Sequence, residues 1–427
     1  MPISRNLSRE RIVEAAFATW GASHFSSTSL QSVAQHLGVT KPAVYRYFRG
    51  KTELLEALRH DFVDRYLADF LTPLAAVFSA AAGDTAPTEA ERIAFIRTYL
   101  DGMLRFYEHN PFHYSFFAQM VVAMKPDEHP RFANLVRREE ALLVKFIPDP
   151  VARRFLQRNA LFWSTEHFRR DPETGAPTIG IPFVPERHTL SPERRTEVLD
   201  VTVQRVTRGF LAKPFSHQPR IDQVERTAWL QPQEMPDTDR VFTAIEEVVQ
   251  EIGYSAATVE RIAQAIGITK SSLYHYFNNR DQMLSEVLLR DQRHFAGLAH
   301  VRFAQLEHRE DQFYALFVMM GSYATQHSAF MTVENWLRQN EVTVQLPERH
   351  LEQIQEIFHV LLAVLADVGV AATSAEALPV LGFIRFALLQ ELNSLPRPIT
   401  QTRCLELVRH IFSFFVQGIV SRERTSV

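Results

Sequence analysis

The stretch GVTKPAVYRYF (residues 38–48) returns as GITKSSLYHYF (residues 267–277) in a chain of 427 residues. The offset, 267 − 38 = 229 positions, divides the chain into two similar halves. Outward from the first copy the chain reads RERIVEAAFATWGASHFSSTSLQSVAQHLGVTKPAVYRYFRGKTELLEAL, starting at Arg9. Its apolar spacing predicts three helices: residues 9–20, residues 29–37, and a third from Thr40 to about Phe48. Ser29 and Thr40 are each placed to cap the helix that follows, and Gly38 to make the turn between the second and third.

Two short helices joined by a turn of three or four residues containing Gly form the helix-turn-helix pattern, whose second helix lies in a DNA major groove. The pattern alone is weak, because such pairs also serve as plain packing units. The third helix says more. At 100° per residue, Val44 and Phe48 share a face that closes on Leu37. The opposite face carries Pro42, Ala43 and Arg46, flanked by Tyr45 and Tyr47, with Lys41 near the positive helix end and Lys51 just beyond. Small side chains permit close approach to base edges, Arg can read guanine, and Tyr and Lys can hold phosphates.

Composition bounds the alternatives. The 46 Lys+Arg and 49 Asp+Glu leave a net charge of −3, so any DNA-binding surface is local. Hydrophobic content of 46% and charged content of 22% suit a globular protein. Only 15 glycines and almost no alternating strand pattern point to an all-α fold. A single cysteine, Cys404, excludes an intrachain disulfide framework and suits a reducing compartment. The opening MPISRNLSRERI lacks the apolar run of a secretory signal. The most apolar run, VLLAVLADVGVAA from Val360, is broken by Asp367 and too short to span a bilayer. The expectation is a cytoplasmic protein with no membrane partner.

GVTKPAVYRYFRGKTELL resembles the signature of TetR-type transcriptional regulators, approximately G-[VI]-[ST]-x-x-x-[LV]-Y-x-[HY]-F-x-x-[KR]-x-x-L. TSLQSVAQHLG and ATVERIAQAIG are similar to the helix preceding that signature, including Ala34 and Ala263. The match is dense in both copies and covers about 50 residues of each half. One departure is His24, where the family usually has Gly before the aromatic Phe25; the second copy keeps Gly253 before Tyr254. The resemblance implies two tandem modules, each an all-helical DNA-binding head with a larger helical ligand-binding body, dimerising through the last two helices. Ligand entry would shift the heads off DNA. By position the resemblance assigns DNA contact to Lys41, Ala43, Tyr45, Tyr47 and Lys51. The second set is Lys270, Ser272, Tyr274, Tyr276 and Arg280. Gln31 and Glu260 stand where the preceding helix reaches a base, while Ser29 and Thr258 would cap that helix and touch phosphate.

Charge separates the two heads. Residues 1–60 hold 8 Lys+Arg and 4 Asp+Glu, net +4, whereas residues 230–289 hold 4 and 9, net −5. Phosphate contacts dominate affinity, so the second head is expected to bind DNA more weakly alone. Its recognition segment nevertheless keeps Lys270, Tyr274, Tyr276 and Arg280, with Thr269 as the cap. A relic head kept for folding is the rival reading. The outward positions differ between copies: Pro42 against Ser271, Ala43 against Ser272, Arg46 against His275. Two unequal heads are expected to read an asymmetric operator in double-stranded DNA.

The domain expectation is a head at residues 1–58, a body at 59–212, a linker at 213–236, a second head at 237–288 and a second body at 289–427. The linker is KPFSHQPRIDQVERTAWLQPQEMP, with Pro214, Pro219, Pro232 and Pro236. DPETGAPTIGIPFVPERHTLSP, residues 171–192, reads as a long loop between two helices. The closing helix pairs, 151–170 with 192–211 and 375–395 with 400–421, suit a four-helix bundle between bodies. An internal pseudo-dimer is the simplest assembly, and a homodimer of tandem chains with four heads is its rival.

Aromatic residues at helical spacing are mostly core. As a set, however, Tyr99, Met103, Tyr107, Phe116 and Phe117 in the first body could line a pocket for a small hydrophobic effector. Phe317, Met320, Tyr323 and Trp336 could do so in the second. EHNPFHY sets His109 and His113 four apart, but Pro111 restarts the helix between them and no further donor is near in sequence, so no metal or other cofactor is expected. HREDQ, from His308, reads as a solvated helix start. No nucleophile elbow, phosphate loop, metalloprotease signature or dinucleotide fingerprint occurs, and no enzyme activity is expected. The sequence therefore points to a DNA-binding transcriptional regulator, more a repressor than an activator. The alternative is a helical ligand- or protein-binding protein whose acidic second head has left DNA.

Overall fold

The computed structural model describes residues 7–21, 29–79, 86–117, 129–166, 190–236, 240–253, 257–269, 271–272, 280–327, 329, 332–333, 348–396 and 398–420. The described residues are helical, with no strand among them, so the fold is all-α. The predicted loop at 171–192 lies almost wholly outside them. They form two compact units. The first is residues 1–153, 159–202 and 337–343; the second is residues 154–158, 203–336 and 344–427.

In the first unit, α1 (Arg9–Gly21), α2 (Leu30–His36) and α3 (Lys41–Tyr45) form the head. A long helix follows: α4 (Lys51–Arg65) passes through a π-helical turn (Tyr66–Leu71) into α5 (Thr72–Ser79). The body adds α6 (Glu89–His109), α7 (Pro111–Phe116), α8 (Pro130–Phe146), most of α9 (Pro150–Glu166) and the first part of α10 (Pro192–Arg208). The start of α6 is set locally. Thr88 Oγ1 accepts from the Glu91 amide, and Glu91 Oε2 accepts from the Thr88 amide at 2.8 Å. The apolar face of α6 then buries Phe95, Tyr99, Met103 and Tyr107. Phe70 and Tyr66 from the π-helical turn pack edge-on against Tyr99 and Phe106. Each such ring contributes roughly 1.5–3 kcal/mol by leaving water.

In the second unit the elements are α11 (Ile221–Ala228), α12 (Arg240–Ile252), α13 (Val259–Ile266), α14 (Arg280–Phe303), α15 (Arg309–Gln326), α16 (Glu348–Ile357), α17 (His359–Asp367), α18 (Ser374–Ser394) and α19 (Gln401–Gln417). Helix α15 is buried from Glu310 through Ala324, as expected of a central helix surrounded on all sides. This corrects the reading of HREDQ as a solvated start: Asp311 is fully buried and Glu310 and Gln312 nearly so. The acids are tolerated because each is hydrogen-bonded. Ser216 Oγ donates to Glu310 at 2.6 Å, and the Arg220 guanidinium grips Asp311 at 2.8 and 3.0 Å.

Those partners belong to residues 213–236, so the expected linker is folded into the second unit. Glu225 on α11 accepts from Tyr314 at 2.6 Å and from Arg409 at 2.7 Å, and Trp229 and Leu230 are buried. Its four prolines punctuate the chain without freeing it.

The second unit also holds residues 154–158 of α9 and the end of α10. Glu391, buried on α18, accepts two hydrogen bonds from Arg154 at 2.8 Å and another from Arg158. Phe155 packs on Phe383, Phe414 and Phe415. Where α10 and α19 end, the contacts are reciprocal. The Phe210 amide donates to the Phe415 carbonyl at 2.7 Å, and the Ile419 amide to the Val206 carbonyl at 2.8 Å. Both pairs map onto one another by the same shift, 415 − 206 = 419 − 210 = 209 positions. Gly209 (φ 90°) and Gly418 (φ 70°), equivalent under that shift, make the approach possible. A Cβ on Gly418 would lie 2.3 Å from the Thr207 carbonyl carbon, and one on Gly209 2.7 Å from the Phe415 carbonyl oxygen.

Gly418→Ala and Gly209→Ala are expected to cost well beyond the ~1–2 kcal/mol that a left-handed backbone alone imposes on a side chain. Urea unfolding of the full chain measures this, with Gly38→Ala as the comparison, since a Cβ there meets nothing within 4 Å. Glu391→Ala is expected to cost about 3 kcal/mol by stranding Arg158. Burial pushes the Glu391 carboxyl up, but the hydrogen bond from Arg154 and the charges of both arginines outweigh it and hold the group below its usual range. The deficit should thus be full above the ordinary glutamate value near ~4.3 and shrink as the pH falls below it.

Candidate nucleic-acid interface

The first head is assembled around α2. Ser29 is its N-cap in a reciprocal box: the Ser32 amide donates to Ser29 Oγ at 3.2 Å, and the Ser29 amide to Ser32 Oγ at 3.0 Å. The helix closes through Gly38 (φ 64°), with the Gly38 amide on the Gln35 carbonyl and the Val39 amide on the Ala34 carbonyl at 2.9 Å. Helix α3 then starts at Lys41. Val44 on its inner side and Phe48, three residues past its end, are fully buried, and Val33 and Ala34 of α2 are buried too. Val44 and Phe48 share the buried side as expected, whereas Leu37 is only half-buried and the helix ends earlier, at Tyr45.

The outer side is open. Ser29, Gln31, Thr40, Lys41, Pro42, Tyr45 and Arg46 are exposed, while Ala43, Tyr47 and Lys51 are half-buried. Tyr45 keeps 43% of its surface in water, which is high for a large ring. Lys41 Nζ sits 5.7 Å from the centre of that ring. Two details differ from expectation. Thr40 occupies the cap position, but its side chain makes no cap hydrogen bond. Tyr47 spends its hydroxyl on the Leu7 carbonyl at 2.6 Å, so it fastens the N-terminal segment.

Arg9 was not singled out by the motif, yet it stitches the head together. Its guanidinium donates to the Tyr47 carbonyl at 2.8 Å and Glu53 at 3.2 Å and lies 4.2 Å over the Phe48 ring. The Arg49 amide donates to Glu53 at 2.8 Å; that bond and Arg9 hold the Glu53 carboxyl below its usual range. Arg49 itself is exposed, three residues past Arg46. Its position in RYFRGK was the available signal.

The second head repeats the local construction. Thr258 caps α13 by accepting from the Arg261 amide at 3.4 Å, and Gly267 (φ 77°) closes it with the Ile268 amide on the Ala263 carbonyl. Here Thr269 does cap: the Ser272 amide donates to its Oγ1 at 3.0 Å. Thr258, Glu260, Thr269, Ser271 and Ser272 are exposed. Lys270, Tyr274, His275 and Tyr276 lie outside the described residues, as does the side chain of Arg280.

The candidate effector residues of the first body are mostly core. Tyr99, Met103, Tyr107 and Phe116 are buried and Phe117 is half-buried. Among them stands an acid the sequence reading passed over: Glu139 of α8, buried, accepting from Tyr66 at 2.9 Å and Tyr99 at 2.6 Å. Burial raises both phenol pKa values, and the Glu139 charge raises them further. In the second body Phe317 packs among Phe313, Phe412 and Phe415. Met320 and Tyr323 are buried, and Tyr323 donates to Asp291 at 2.6 Å. Trp336 lies outside the described residues.

These features define a class, an all-helical protein with two helix-turn-helix heads. The heads are those of a known family: residues 12–58 and 241–287 both match the domain described as "Bacterial regulatory proteins, tetR family". The chain carries two tandem copies of this TetR-type domain. It is 40% identical over 47 residues, 11% of this chain, to the HTH-type transcriptional repressor AcnR of Corynebacterium jeikeium. It is 42% identical over 50 residues, 12% of this chain, to the HTH-type transcriptional regulator SrpR of Pseudomonas putida. The HTH-type transcriptional regulator UidR of Escherichia coli is 24% identical over 129 residues, 29% of this chain. The chain spans 25% of AcnR, 24% of SrpR and 63% of UidR. No helix among the described residues is long and apolar enough to cross a membrane.

Ser29→Ala should cost ~1 kcal/mol of head stability, the usual value of an N-cap. Thr40→Ala should cost almost nothing, and thermal melting of the two variants side by side checks the contrast.

Proposed function

We propose that the protein is a sequence-specific transcriptional repressor in which one chain does the work of a dimer. The observation that carries this is the pairing of two TetR-type heads with the reciprocal crossing at Gly209 and Gly418. A residue i meeting j while the equivalent of j meets the equivalent of i is the mark of a two-fold interface. Here both sides come from one polypeptide. In the first head Lys41, Tyr45 and Lys51 hold phosphates, while Ala43, Arg46 and Gln31 face base edges. Thr258, Glu260, Lys270, Ser272, Tyr274, Tyr276 and Arg280 do the corresponding work in the second. The two outward faces differ, so the operator is asymmetric, its half-sites one helical turn apart.

A small hydrophobic effector bound in the first body, among Tyr99, Met103, Tyr107 and Phe116, modulates this binding. The support is a buried aromatic cluster next to the π-helical continuation of α4, the helix that leaves the head. Glu139 and its two phenols would give such a ligand a polar anchor.

Footprinting of the full chain on its own promoter should protect an asymmetric site with one chain bound per site. Two identical half-sites, each needing its own chain, would contradict the reading. Lys51→Ala should weaken binding to all sequences and lower the salt slope by about 0.9, as expected for one lost phosphate. Arg46→Ala should instead relax base preference at one position. Fluorescence anisotropy at several salt concentrations separates the two effects.

A further inference from the structure

We propose that Glu56, His60 and His129 form a binding site for a divalent transition-metal ion of the zinc class. Glu56 and His60 stand one turn apart on α4, so their side chains leave the same face of the helix. His129 precedes α8 as its N-cap residue and is buried. Its Nε2 lies 2.9 Å from Glu56 Oε2, and its ring meets His60 edge-on with centroids 5.8 Å apart. One ligating atom from each of the three side chains lies within 4.8 Å of the others.

Two imidazoles and a carboxylate are a donor set that zinc takes with one position left open. Ligand atoms on a tetrahedral ion at about 2.0–2.1 Å stand roughly 3.4 Å apart, so the three side chains need close by little more than ~1 Å. Among the described residues His129 Nδ1 is buried without a hydrogen-bond partner, and the other ring nitrogen is held by Glu56. The Nε2–Glu56 pair already sets two of the three donor atoms 2.9 Å apart, and metal binding would replace that hydrogen bond. The neighbouring cations do not occupy the site. Arg59 takes the other Glu56 oxygen at 2.5 Å, leaving Oε2 toward the histidines. Arg131, which lies in the field of His60, is itself partnered by Asp64 at 3.4 Å.

An ion here ties the head-proximal part of α4 to the start of α8 within the first unit. Its effect on operator affinity rests on the function proposed above; the metal site itself does not. The test is therefore run without DNA. Chelator-stripped full chain is titrated with Zn(II) by calorimetry and with Co(II) by visible absorption, where a tetrahedral site gives intense ligand-field bands. The expected result is one saturable site per chain. His60→Ala, a half-buried surface change, and Glu56→Gln should each weaken it at least tenfold. His109→Ala, whose exposed ring meets the Arg105 carbonyl, should leave it unchanged. His129→Ala adds a third arm if circular dichroism shows it folded, and the other two carry the test if it does not. No saturable binding at micromolar metal, or unchanged affinity in both His60→Ala and Glu56→Gln, overturns the proposal.

Discussion

The second unit depends on the place where the ends of α10 and α19 cross closely enough for backbone to hydrogen-bond to backbone. At 2.7 and 2.8 Å those two bonds leave no room for a side chain, and both crossing residues are glycines in left-handed conformations. Everything nearby is arranged on that approach. Phe210 and Phe415 stack at 4.5 Å, Phe155 closes the cluster, and Arg154 and Arg158 satisfy the buried Glu391 carboxylate. A direct backbone contact has little tolerance for sliding, so it sets the register in which the closing helices meet.

Much of the heads was legible in the sequence because their determinants are local. A cap hydroxyl, a glycine with positive φ and an apolar pair four apart act within a dozen residues, and α1 to α3 follow the expected segments to within a few residues. The buried acids were not legible. Glu310 and Asp311 read as solvent-facing because charge usually is, and their partners lie about ninety positions upstream. Glu391 finds Arg154 across 237 positions. Glu139 hides in RREEALL, where one acid of the pair faces inward and spacing alone does not name a phenol partner. The stretch 213–236 misled for the opposite reason: prolines signal turns, and turns need not be loose.

The two heads share their scaffold and differ in finish. Both close the first recognition-motif helix through a left-handed glycine with the same pair of backbone hydrogen bonds. They differ in capping. The first uses a full serine box at α2 and leaves Thr40 without a cap bond, whereas the second has a lone threonine at α13 and a working cap at Thr269. The donor position is the same in both: the second copy's cap bond comes from the Ser272 amide, whereas the equivalent Ala43 amide goes to the Thr40 carbonyl at 2.9 Å instead of the hydroxyl.

Glycines that meet inside one polypeptide have a consequence for inheritance as well as for shape. A dimer assembled from separate chains dissolves on dilution and exchanges partners with any compatible relative in the cell. Gly209 and Gly418, joined by the chain between them, meet at a fixed effective concentration, whatever the copy number. Were one chain the working unit proposed above, a damaged allele would make only damaged molecules and form no mixed pairs with the sound product. In such a one-chain unit the two halves would also be free to diverge, because neither need remain complementary to itself.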